Sequence, residues 1–269
     1  MKQTDSLRGH LALLTGACGG IGSAFAEELA RRGSDLILTD ISRENLEAAA
    51  EGLRERYGVK VYILPADLTA PDVTGRIFSF CDDSGLDPDV LINNAGVFAF
   101  APMTEISDRK TTLFIDLHVR AVTTLSREFA VRRERKGSGF ILNMSSMSCW
   151  APMPGLALYA ATKAYIRVFS RSLHYEMRDS GVKVMVACPG GIATDLFGLP
   201  DNLKKLAVGI GALDVPDKFA RKAISRLLRG RKQYINGWLN RFSIFMMGIT
   251  PTPVRMMVKH RMLDRGIKR

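Results

Sequence analysis

Tyr159 and Lys163 stand four positions apart in "YAATK", one turn of a helix, so both side chains share a face. A phenol ordinarily releases its proton near ~10; an ammonium beside it stabilises the phenolate and draws that value towards neutrality. A tyrosine tuned in this way passes a proton to or from a carbonyl or alcohol oxygen. Ser146, thirteen positions earlier in "NMSSMS", carries a hydroxyl able to hold the same oxygen. Its neighbour Ser145 competes for that task. Successive side chains of a strand point to opposite faces, so only one of the two can serve.

These residues are useful only at one end of a rigid scaffold. Short apolar runs recur at 10 to 15, 35 to 40, 60 to 65, 89 to 93, 140 to 145 and 183 to 189, each too apolar for a half-exposed strand. Helical-period segments at 20 to 32, 43 to 57, 71 to 83, 104 to 134 and 156 to 180 lie between them. That alternation implies an α/β architecture, a doubly wound parallel sheet of Rossmann type with right-handed crossovers and ligands beyond the carboxyl ends of the strands. The chain has 269 residues, no internal repeat and no Pro/Ser-rich linker. A single catalytic domain over 1 to 235, with a helical C-terminal extension over 236 to 269, is expected.

The first run ends in "TGACGGIG", directly before a helical segment. Gly16, Gly20 and Gly22, with Ile21 in the same loop, have the spacing that closes a turn, admits a pyrophosphate to backbone N–H groups and packs helix on strand. Glycines in an ordinary tight turn are the alternative, which a strand before and a helix after make the weaker one. Asp40 ends the second run, where an acid accepts hydrogen bonds from an adenosine ribose and repels a 2′-phosphate. The loop holds Gly19 rather than a cation, and Arg43 falls at a helix start, so NAD is expected in preference to NADP. Asp40 as a mere helix cap is the alternative. Asp67, followed by Leu68 in "ADLT", either faces the adenine or caps a helix.

Taken in order, "TGACGGIG", "NNAG", "NMSS", "YAATK" and "CPGGIATD" resemble the classical short-chain dehydrogenase/reductase family over about residues 8 to 230, nearest the branch with 3-ketoacyl and steroid reductases. The resemblance implies that Ser146 polarises a substrate carbonyl, Tyr159 exchanges the proton, and Lys163 tunes Tyr159 and holds the nicotinamide ribose. Its spacing favours Ser146 over Ser145. It implies further that Asn93, Asn94, Ala95 and Gly96 line the adenosine side, and that Pro189, Gly190, Ile192 and Thr194 meet the nicotinamide. The family pairs through the helices at 104 to 134 and 156 to 180, so a homo-dimer or tetramer is expected. One position departs from the pattern. Where the family carries the asparagine of "L-N-V-R-A", this chain has His118 in "LHVRA"; an alignment on Asp116 fits the following "VRA" less well. Either His118 rebuilds the family's proton relay on an imidazole and adds a pH dependence of its own, or it is a packed ring meeting a backbone carbonyl.

Composition bounds the rest. The net charge is +11, and from Arg229 onwards ten Lys and Arg face the single acid Asp264, so the charge is concentrated at the C-terminal end. The charge sits on one tail rather than along the body of the chain, and nucleic acid is not the expected partner. Cys18, Cys81, Cys149 and Cys188 have neither disulfide-framework nor metal-ligand spacing, so no metal site and a reducing, cytoplasmic setting are expected. The N-terminus does not read as a signal peptide, and the longest apolar run, "FSIFMMGI", is far short of the ~20 residues of a membrane span. The apolar stretch from Leu196 to Val215, facing a wall with Trp150, Met153 and Leu156, suits a hydrophobic ketone or alcohol such as a steroid, a fatty-acyl chain or another lipid-like molecule. Val254, Met257, Val258 and Met262 recur at helical spacing among Arg255, Lys259, Arg261 and Arg265. That segment lies on an anionic membrane, closes the cleft as a lid, or packs on another subunit. The function expected is NAD(H)-dependent interconversion of a carbonyl and a secondary alcohol. The alternative is a catalytically weak dinucleotide sensor or membrane-associated scaffold.

Overall fold

In the computed structural model, which describes residues 6 to 192 and 213 to 263, the six apolar runs form strands, five of them largely buried on both faces and the edge strand at 61 to 65 half-buried. They are β1 (Leu11–Thr15), β2 (Asp35–Asp40), β3 (Val61–Pro65), β4 (Val90–Asn93), β5 (Gly139–Met144) and β6 (Val182–Ala187). A two-residue strand the sequence pattern did not suggest, β7 (Gln233–Tyr234), completes a sheet of order β3-β2-β1-β4-β5-β6-β7, with every pairing parallel. The order reverses between β1 and β4. The loops leaving those two strands therefore diverge and open a crevice at their carboxyl ends.

Helices cover both faces. They are α1 (Gly20–Arg31), α2 (Arg43–Tyr57), α3 (Val73–Asp83), α4 (Asp108–Ile115), α5 (Val122–Glu134), α6 (Ala157–Glu176), α7 (Pro216–Leu228), α8 (Trp238–Ile249) and α9 (Thr252–Val258). One core joins α1, α2 and α7 to the sheet through Phe25, Leu29, Leu46, Phe219 and Ile224; the other joins α3, α5 and α6 through Ile77, Leu125, Phe129 and Leu173. The helix expected over 104 to 134 is divided: α4 and α5 are linked by a π-helical stretch, Asp116–Ala121. α8 packs against the turn Met147–Trp150 that follows β5, and Leu263, beyond α9, is buried near Phe100 and Gly155. The extension thus folds back over the carboxyl end of the sheet. Thr194, Leu196 and the rest of 193 to 212 lie outside the described residues, as do Arg265 and the side chains of Val258 and Met262.

A buried polar joint fastens β4 and β5 to α5 and α6. Asn93 on β4 donates through Nδ2 to Asn143 Oδ1 on β5 at 2.8 Å and to Ser126 Oγ on α5 at 3.0 Å. Asn143 Nδ2 donates in turn to Ser170 Oγ on α6 at 2.9 Å. All four side chains are buried. Removing one member leaves its partners desolvated and unsatisfied, a cost of about 1–3 kcal/mol per group. Asn143→Ala is accordingly expected to lower the unfolding free energy by roughly 2–4 kcal/mol. Urea denaturation reads this directly, and an unchanged midpoint would show that the joint carries no net stability.

Candidate active site

The loops after β1 and β4 are stitched together before any ligand arrives. Thr15 Oγ1 accepts from the Asn94 and Ala95 amides at 3.0 and 3.1 Å, while Asn94 Nδ2 donates to the Thr15 and Gly16 carbonyls at 3.1 and 2.9 Å. Gly16 has φ +63°, and a Cβ on it would lie 2.7 Å from Ala95 Cα; a Cβ on Gly22 would lie 1.9 Å from the Gly16 carbonyl oxygen. Any side chain at either position breaks the turn. No side chain caps the N-terminus of α1, which starts at Gly20, so its first-turn N–H groups remain open to a ligand.

These elements wall a cavity of about 630 Å³, lined by Gly16, Gly20, Ile21, Gly22, Asp40, Asp67, Leu68, Asn94, Ala95 and Gly96 among others. The shape and the open amides fit the pyrophosphate and adenosine of a dinucleotide. Asp40 Oδ2 accepts from the Cys18 amide at 2.9 Å and Oδ1 from Ile41 at 2.7 Å, while Ser42 caps α2. The carboxylate therefore belongs to the cavity rim and is not a helix cap. Asp67 is no cap either, since α3 begins at Val73; Thr69 donates to its Oδ1 through side chain and backbone, holding the carboxyl below its usual range. No Lys or Arg lines this cavity among the described residues, and Arg43 pairs with Glu47 at 3.6 Å along α2. Asn93, expected on the adenosine side, is instead 2% exposed and committed to the polar joint. Its neighbour Asn94 takes the cleft position.

Ile21, Asn94, Gly96 and Val97 also line a second hollow, so the two are continuous, and here the chemistry residues converge: Ser146, Tyr159 and Lys163 with Pro189, Gly190 and Ile192. Ser145 Oγ donates to the Lys163 carbonyl at 2.6 Å and is thereby occupied. Ser146 Oγ accepts from the Ser148 amide at 3.2 Å and faces the Tyr159 phenol. Lys163 Nζ donates to the Met144 carbonyl at 3.1 Å and lies 5.8 Å from the Tyr159 ring centre. Burial draws the ammonium down to about 8, which leaves it mostly charged at neutral pH. The expected lowering of the tyrosine is not what the protein alone produces. Burial pushes the Tyr159 phenol above its ordinary value, with the Ser146 hydroxyl pulling the other way.

His118 sits on the π-helical stretch, fully buried. Its Nε2 accepts from the Val97 amide at 3.1 Å, which places the ring proton on Nδ1. Nδ1 then donates to Thr162 Oγ1 at 3.0 Å, and that hydroxyl donates to the Tyr159 carbonyl at 2.9 Å. Burial, reinforced by the charge of Lys163, pushes the imidazole down to about 2. A ring held neutral in this way changes no charge of its own near neutral pH, and its two hydrogen bonds tie the loop after β4 to α6. Asp116, the rival position, is ion-paired with Arg120 at 3.0 Å.

Trp150 packs with Ile166, Val186 and Cys188 under the Arg167 guanidinium, 4.4 Å above its ring, and neither it nor Met153 lines the hollow at Tyr159. Tyr159 is flanked instead by Phe98, edge-on at 5.0 Å, and packs in one cluster with Val97, Phe114 and Leu156. The apolar "VFAF" after "NNAG" was the available signal. Two further residues support the site without a sequence signature. Asn236 accepts from the Gly190 amide at 2.8 Å, and Asn240 on α8 packs so closely on Gly190 that a Cβ there would lie 2.3 Å from its Cγ.

Comparison with known proteins agrees with this geometry. A family profile described as short chain dehydrogenase matches residues 10–201. The chain is 32% identical over 254 residues to a very-long-chain 3-oxoacyl-CoA reductase of Anas platyrhynchos, covering 92% of this chain and 78% of that protein. It is 30% identical over 233 residues to a 17-beta-hydroxysteroid dehydrogenase type 3 of Danio rerio, covering 84% and 72%. A solved short-chain dehydrogenase from Sphingobium yanoikuyae in complex with NADPH superposes with a TM-score of 0.76 at 28% identity, covering 94% of this chain and 96% of that one. With some other curated relatives the match spans less than two thirds of their length, 61% for the mouse 3-oxoacyl-CoA reductase.

The buried neutral imidazole has a thermodynamic signature. Its folded pKa lies far below the ordinary 6.5, so the unfolded chain alone takes up a proton as pH falls below that value. The stability it permits is complete above 6.5 and declines towards acid, by about 1.4 kcal/mol per pH unit. His118→Asn is expected to flatten this decline between pH 6.5 and 5 relative to wild type. Urea titrations at several pH values measure it, and parallel curves for the two proteins would refute the neutral, buried ring.

Proposed function

The chain belongs to the short-chain dehydrogenase family and is an oxidoreductase of that family, and from this premise we propose that it interconverts a carbonyl and a secondary alcohol on a hydrophobic substrate with NAD(H). The observation that carries the reading is the convergence of Ser146, Tyr159 and Lys163 in one hollow that opens into the dinucleotide-shaped cleft. A nicotinamide dinucleotide bound there, held by Gly16, Gly20, Ile21, Gly22, Asn94 and Gly96 with Pro189, Gly190 and Ile192 at the reactive end, supplies or receives the hydride. In the reducing direction the Tyr159 phenol delivers its proton to the carbonyl oxygen, and the Ser146 hydroxyl holds that oxygen in place. The charge on Lys163 favours the phenolate that remains. Val97 and Phe98 beside Tyr159 give the substrate end its apolar character, which supports a lipid-like ketone.

Asp40 supports NAD over NADP. A 2′-phosphate would enter a rim with two carboxylates, Asp40 and Asp67, and no cation among the described residues. The exposed Ile41 follows Asp40 where a phosphate-binding side chain would be needed. An assembly through α5 and α6 is supported by the exposed Tyr165, Val168 and Tyr175 on the outer face of α6.

Tyr159→Phe is expected to retain NADH binding and to lose turnover of hydrophobic ketones by roughly a hundredfold to ten-thousandfold. Tight NADH binding by the wild type with no turnover on a broad panel would instead mark a nucleotide sensor. Replacing Asp40 by Ser is expected to move the ratio of kcat/KM for NADPH to that for NADH upward by about tenfold. A ratio unchanged by the substitution would remove Asp40 from cofactor choice.

A further inference from the structure

α8 carries its aromatic residues outward. The helix meets the rest of the molecule with Asn240, Ser243, Ile244 and Met247, its half-buried face, while Leu239, Phe242 and Met246 stand exposed with Trp238 at 74% and Phe245 at 64% exposure. Trp238, Phe242 and Phe245 follow at i, i+4 and i+7, so they form one stripe down the outer side. A helix on a water-facing surface has the reverse arrangement. α9 adds the exposed Val254, Met256 and Met257. Exposed apolar side chains are ordinary when scattered; a continuous aromatic stripe marks a contact surface.

Beside the stripe, α7 and the segment after it enclose a cavity lined by Arg221, Lys222, Arg226, Arg229, Arg231 and Arg241, with Trp238 at its edge and no carboxylate in its lining. This positive basin belongs to neither the cofactor cleft nor the hollow at Tyr159. We propose that α8 and this basin form a docking surface for an anionic lipid bilayer, the aromatic stripe entering the acyl boundary and the basin holding the headgroup phosphates. The combination is that of an interfacial helix: an apolar face with Trp at headgroup level and clustered cations alongside. With 12 residues α8 is about 18 Å long, against a hydrocarbon core of about 30 Å, so it lies in the membrane plane. No described helix is long and apolar enough to span.

A second copy of the chain is the weaker occupant. A two-fold contact through the stripe would bring two cation-lined basins towards each other. An anionic bilayer offers the opposite charge. Because the inner face of α8 packs on the Met147–Trp150 turn next to Ser146, docking through the outer face holds the substrate end of the enzyme at the lipid surface.

The test is co-sedimentation of the full chain with vesicles of phosphatidylcholine alone and of phosphatidylcholine mixed with phosphatidylglycerol. The expected result is capture by the mixed vesicles, weakened by salt, and little capture by the neutral ones. The double substitution Arg231→Gln with Arg241→Gln is expected to reduce capture roughly tenfold, and Phe242→Ser with Phe245→Ser to abolish it. Both variants should keep the wild-type melting temperature and NADH affinity, neither pair lining the cofactor cleft. Equal capture by both vesicle types, or none by either, overturns the proposal. So does a dimer in sedimentation velocity that the aromatic substitutions convert to monomer without any vesicle binding, or equally tight capture by a DNA duplex.

Discussion

The site depends on keeping one positive charge inside the protein. Lys163 is 5% exposed, and the free energy of moving an ammonium out of water works against its charge. Two features hold the balance. Its Nζ donates to the Met144 carbonyl at the end of β5, and the ring beside it at Gly96, His118, is neutral. The charge restricts every neighbour. Nζ and His118 Nε2 both press against Gly96, so a protonated imidazole there would set two cations side by side in a dry interior. His118 is neutral for that reason as well as for its burial.

The same neutrality lets His118 serve as a strut. As a fixed Nδ1–H tautomer it takes a hydrogen bond from the loop after β4 and gives one to α6 through Thr162, reaching the carbonyl of Tyr159 itself. The loop after β4 is bound to the loop after β1 by Asn94. Hydrogen bonds and the short loop after β4 therefore connect the glycine turn to Tyr159. The π-helical widening at Asp116–Ala121 places the ring in this path, a local departure from regular helix of the kind found where a side chain must be re-aimed.

Much of this was legible in the sequence, and the reason is local. The six strands read as apolar runs because a parallel sheet covered on both faces tolerates little else, and Gly16 and Gly22 were legible because no side chain fits their turn. Tyr159 and Lys163 were legible as a pair because one helical turn fixes their spacing. What was not legible depends on partners distant in sequence. The tautomer of His118 is set by Val97 and Thr162, 21 and 44 positions away. The packing of Trp150 is set by Ile166 and Arg167. β7 is two residues long and has no period to detect. Asn93 and Asn94 are adjacent and alike, and only the end of β4 decides which faces the cleft and which the helices.

α8 shows the opposite conflict, a clear local pattern that the fold overrides. Its aromatic residues would ordinarily turn inward, but rotation about the helix axis is fixed elsewhere. Asn240 donates to the Asn236 carbonyl at 2.8 Å, and Asn236 in turn receives the Gly190 amide in the loop that lines the reactive end of the cleft. Gly190 leaves just enough space for the Asn240 side chain and none for a Cβ of its own. Asn240 is thereby committed to the loop at Gly190, and with the rotation of α8 fixed at that residue Trp238, Phe242 and Phe245 are left on the outer side. The exposed stripe is thus a geometric consequence of how the catalytic loop is braced. It ties the outer surface of the extension to the position of Gly190, since turning the stripe inward would withdraw Asn240 from the loop it supports.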